Sequence, residues 1–64
     1  MDRVYDIFER FPDGSIMWRR CVTGLEAAKE TLQGFALKSE NEFHGMHTPT
    51  KEIVARVNIG GAEG

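Results

Sequence analysis

Few groups in this 64-residue chain have chemistry to offer: one cysteine, Cys21, two histidines, His44 and His47, and the run Trp18-Arg19-Arg20. Zinc takes four ligands, drawn mainly from Cys and His. His44 and His47 stand three apart, and in a strand such residues point to opposite faces, so they cannot share one ion. There is no cysteine pair and no helical HxxxH spacing, so no metal ligand is expected. Cys21 with a histidine could form a nucleophile and base, but that chemistry needs an oriented base and an oxyanion hole. Nothing in the sequence supplies the second, and a domain this small has little concave volume for a substrate. Cys21 reads as a small strand hydrophobe. No catalytic residue, cofactor or enzyme activity is expected.

Trp18-Arg19-Arg20, with Tyr5, Phe8 and Arg10, is the best case for nucleic acid. Aromatic rings stack on bases and arginines hold phosphates. The charge balance argues against it: eight Lys plus Arg face ten Asp plus Glu, a net charge of −2. Phosphate binding draws on a basic excess. Nucleic acid is therefore the alternative reading, through the Arg and aromatic residues of the first hairpin.

The elements that position these groups follow from residue types and turns. Residues 3–11 and 15–22 are rich in β-branched and aromatic types and read as strands. Between them, Phe11-Pro12-Asp13-Gly14-Ser15 reads as a three-residue hairpin loop with a left-handed glycine. That loop sets Phe8 opposite Trp18, Asp6 opposite Arg20 and Val4 opposite Val22. Thr23-Gly24-Leu25-Glu26 has the pattern of a capping box. The helix it opens should run to about Ser39, with Leu25, Ala28, Leu32, Phe35 and Ala36 forming one apolar stripe. Gly34 and Leu37 fall off that stripe. Asn41 suits a left-handed helix end. Two further strands, 42–47 and 52–59, flank Thr48-Pro49-Thr50-Lys51. The fold class is α+β: ββ-α-ββ in two layers, a four-stranded antiparallel sheet with one helix across one face. Residues 1–59 form one domain, and 60–64, GGAEG, are expected to be a disordered tail.

One helix covers one face, yet the first hairpin is apolar on both. In the register above, Val4, Phe8, Ile16, Trp18 and Val22 face the helix. Tyr5, Ile7, Phe11, Met17, Arg19 and Val54 are then left on the uncovered side. Contiguous exposed apolar surface marks an interaction site, and Tyr, Phe, Met and Arg are enriched at interfaces. A chain this short buries only about 60% of its unfolded surface, and a lone cysteine offers no internal disulfide. Self-association as a homodimer is the simplest supplement, with an unknown protein partner as the other candidate. No apolar stretch approaches a membrane span, and one cysteine suits a reducing compartment; a cytoplasmic location is expected.

The string YDIFERFPDGSIMWRRCVTGLEAAKETL, followed by SENEF and EIVARVN, resembles a group of very small bacterial proteins of uncharacterised role. They share YDIF, a PDG turn, a tryptophan and a Gly-Leu helix start. The resemblance spans most of residues 4–58 and implies a ββ-α-ββ unit without implying an activity. In shape alone, strand, Asp-Gly turn, strand and helix also resemble the HicB-type antitoxins. Their signature before the helix is not matched by Thr23-Gly24-Leu25-Glu26.

Overall fold

The computed structural model describes residues 3–59. Strands β1 (Val4–Arg10) and β2 (Ile16–Thr23) form the first hairpin, helix α1 (Leu25–Lys38) follows, and β3 (Glu42–His47) and β4 (Glu52–Val57) form the second. All four strands lie in one antiparallel sheet, in the order β2-β1-β3-β4. The two hairpins join along β1 and β3, which leaves β2 and β4 as edges. The tail expected over 60–64 lies outside the described residues.

The first turn forms as its residues dictate. Phe11 N–H donates to the Ser15 carbonyl at 2.9 Å and Gly14 N–H to the Phe11 carbonyl at 2.9 Å. Gly14 takes φ +91°, a conformation that costs glycine least. Asp13 Oδ1 accepts from the Ser15 amide at 2.9 Å and its hydroxyl at 2.7 Å. Phe8 stands opposite Trp18 as expected, but one extra residue, Arg19, then bulges from β2. Beyond the bulge Asp6 faces Cys21, not Arg20, and Val4 faces Thr23, not Val22.

The bulge shifts Arg20 and Val22 to the face opposite Trp18, and α1 covers the other face of β1 from the one expected. Tyr5, Ile7 and Glu9 are buried, and Ile7 is wholly inaccessible. They lie under α1 in a core with Ala28, Leu32 and Phe43, flanked by Val22, Phe35, Val54, Ala55 and Val57. Tyr5, Ile7 and Val54, expected on the uncovered face, therefore belong to the covered one. Trp18 and Phe8, expected beneath the helix, are on the open one. The physical reason lies in the second hairpin. Gly45 pairs with Ala55 and lies beside Ile7, so this face is low across β3 and β4. Leu32 settles into it: a Cβ on Gly45 would lie 3.6 Å from Leu32 Cδ1 and 3.4 Å from Ile7 Cδ1. The other face carries Phe8, His44 and Met46 at the same level and has no such depression.

The ends of α1 also differ from expectation. Thr23 is the last residue of β2, its hydroxyl makes no cap, and Gly24 is the N-cap at φ +92°. Gly24 N–H donates to the Arg3 carbonyl at 2.8 Å, so continued pairing with β1 holds Thr23 in the strand. At the other end Ser39 caps in an extended conformation, and its N–H donates to the Phe35 carbonyl at 3.0 Å. Asn41 is not left-handed; among the described non-glycine residues Lys51 and Asn58 are, at φ 60° and 56°. Asn58 Nδ2 donates to the Ser39 and Asn41 carbonyls at 2.8 and 3.1 Å and ties the helix exit to the end of β4.

Gly34 sits mid-helix, and a Cβ there would meet nothing within 4 Å. Glycine in a helix interior costs about 1 kcal/mol relative to alanine. Gly34→Ala is expected to raise stability by about that amount, read as a higher urea midpoint at unchanged slope.

Candidate functional site

The open sheet face is the site that the strands assemble. Cross-strand partners share a face, so Val4, Asp6, Phe8 and Arg10 of β1 line up with Thr23, Cys21, Trp18 and Ile16 of β2. On the other side stand Met46, His44 and Glu42 of β3, then Ile53 and Arg56 of β4. Trp18 is 56% exposed and Ile16 57%, with Val4 and Ile53 also exposed. An apolar surface thus crosses all four strands.

Its centre is aromatic. The Phe8 and His44 rings stack with centroids 5.3 Å apart and planes 22° apart. Trp18 is the cross-strand neighbour of Phe8 on the other side and is fixed by its indole N–H, which donates to Asp6 Oδ1 at 3.1 Å. Asp6 Oδ2 accepts from the Thr48 hydroxyl, which couples the β3–β4 turn to the same carboxylate. These hydrogen bonds, from Thr48 first and Trp18 next, hold the Asp6 carboxyl below its ordinary 3.8. Two acids, Asp6 and Glu42, and two arginines, Arg10 and Arg56, share the face.

His44 is held below its ordinary 6.5, first by partial burial; Glu42 opposes the shift, while Arg56 and Arg10 add to it. The fold therefore favours neutral His44, and the unfolded chain binds the proton more readily. Stability from this source is complete above pH 6.5 and declines as pH falls through that value. The Asp6 contribution declines only below 3.8, so the two windows separate. A melting temperature that drops between pH 7.5 and 5, with a smaller drop in His44→Gln, is the expected result.

The remaining groups lie elsewhere. His47 packs edge-on against buried Tyr5, with ring centroids 6.0 Å apart, on the face opposite His44. The two imidazoles do not meet. Phe11 is half-buried at the first turn, and Met17 is exposed on the helix side of β2. Arg19 lies over the Phe35 ring at 5.6 Å and 3.6 Å from Glu9. Buried Glu9 also accepts from Asn41 Nδ2 at 2.7 Å. Arg19 thus serves to pair a buried carboxylate. Arg20 lines a groove beside α1, so Arg19 and Arg20 both lie on the helix side, away from Trp18 and Phe8. Cys21 is free, exposed and on the open face.

No protein-family model, curated protein or solved structure matches the chain. Among the described residues, no helix is long and apolar enough to cross a membrane.

Proposed function

We propose that this chain is a non-catalytic interaction module that self-associates through its open sheet face. The observation that carries the reading is the apolar surface of Val4, Phe8, Ile16, Trp18, Met46 and Ile53 across all four strands. Two features favour a second copy as the occupant. The face holds two acids and two arginines, so its approach to itself meets no net repulsion. The face is also open from edge to edge across four strands of six to eight residues each, a surface that a second sheet can match. A two-fold dimer buries the same patch twice, and the small core beneath α1 gains from the added burial. The free thiol of Cys21 supports a reducing compartment, and the location proposed for the module is the cytoplasm.

Cys21 is a native reporter of this contact. Its alkylation by a bulky maleimide should slow as protein concentration rises, and the labelled protein should sediment as a single chain. A labelling rate independent of concentration, with no change in mass on labelling, would contradict the dimer.

The Phe8–His44 stack beside Trp18 supports a second reading, a single-strand nucleic-acid binder or antitoxin-like regulator. The balanced charge of the face weighs against it. This reading requires that mixed oligonucleotides bind at low ionic strength and dissociate as salt is raised; absence of binding removes it.

A further inference from the structure

A second surface lies on the opposite side of the sheet. Helix α1 packs chiefly over β3 and β4, which leaves the flank of β2 partly uncovered. A groove of about 290 Å³ opens there, lined by Arg20 of β2 and Glu30, Thr31, Gly34, Phe35 and Lys38 of α1. Gly34 is the residue that the helix does not need: it costs stability, and a Cβ would meet nothing. Any larger side chain there would project into the groove. Arg20 and Lys38 line it with one acid, Glu30, which leaves an excess of one positive charge, and among the described residues neither cation is in a salt bridge. The groove also meets a sheet edge at Arg20, the one β2 residue in its lining. From Arg20 to Thr23, past the bulge, β2 pairs regularly with β1 and has no strand on its other side.

We propose that this groove receives an extended acidic peptide segment of a partner protein, which adds to the edge of β2 and seats a carboxylate side chain between Arg20 and Lys38. Edge addition supplies backbone hydrogen bonds, and a flanking pocket for alternate side chains supplies specificity. The Phe35 ring gives the groove an apolar wall for the carbon stem of that side chain. At Arg20 the edge of β2 meets a groove with an excess of one positive charge, opposite the gap that Gly34 leaves in the helix. The surface is separate from the open sheet face, and so is its test.

The probe is a short peptide of alternating Val and Glu, blocked at both ends, titrated into the isotope-labelled full chain. Amide shifts are expected over Arg20–Thr23 and Thr31–Lys38. Gly34→Leu should melt no lower than the natural chain yet bind at least tenfold more weakly, and Lys38→Glu should weaken binding as much. N-methylation of alternate peptide amides should also cost at least tenfold. The absence of shifts at millimolar peptide would overturn the proposal. So would equal binding of a Val-Lys or N-methylated peptide, the same shifts with inorganic phosphate alone, or shifts centred on Phe8 and His44. Undiminished binding by Lys38→Glu would contradict it even if Gly34→Leu failed to fold.

Discussion

Phe43→Ala is expected to remove most of the stability of this fold. Phe43 is 1% exposed, stacks on Phe35 at 4.9 Å with planes 5° apart, and sits opposite Val57 in the sheet. Removing a buried phenyl group costs about 3–5 kcal/mol, because the lost burial is compounded by an unfilled cavity. Native proteins hold about 0.05–0.15 kcal/mol per residue, so a chain this short has only about 3–10 kcal/mol in total. No disulfide limits the loss. The check is urea denaturation followed by circular dichroism: the transition should move towards zero denaturant or vanish. A curve like that of the natural chain would mean that α1 does not cover this face.

Trp18→Lys should act in the opposite sense, sparing the monomer and breaking the dimer. Trp18 is largely exposed, and its one hydrogen bond is to a surface carboxylate. Its loss should cost the monomer about 1 kcal/mol. At an interface, a central tryptophan contributes about 2–4 kcal/mol, and a two-fold contact loses two of them. The dimer dissociation constant should rise by about 1000-fold or more, measured by the heat of dilution. Met17→Lys is the matched control. Met17 is on the same strand and also exposed, but it faces the helix side, so it should leave dissociation unchanged. Equal effects of the two variants would mean that the open face has no special role.

The elements were legible in the sequence because each rests on local chemistry. The Phe11–Ser15 loop and the apolar stripe of Ala28, Leu32 and Phe35 needed no distant partner, whereas in β4 a bulge at Val54 sets Ile53 and Ala55 on opposite faces. The face assignment was not legible by the same means. It turned on which face α1 covers, and the bulge at Arg19, which no residue type announces, further separates Val22 from Trp18. A usable signal did exist in the second hairpin. Gly45 and Ala55 are small and pair across β3 and β4, and a helix packs where a sheet is low. Weighing the first hairpin alone favoured the cleaner apolar face, which is the one left open. Glu9 was hidden for a related reason: its partners, Asn41 and Arg19, come from separate elements. Thr23 misled because a cap and a strand end compete for the same residue, and pairing with Val4 won.

That the hairpin is apolar on both sides remains the feature from which a function is read, with Trp18 and Phe8 in place of Tyr5 and Ile7. Sedimentation equilibrium of the unmodified full chain tests this most directly. From low to high micromolar concentration the mass should rise from one chain to two, and Trp18→Lys should stay at one throughout. A natural chain that keeps the mass of one copy across the whole range would contradict self-association through the open face.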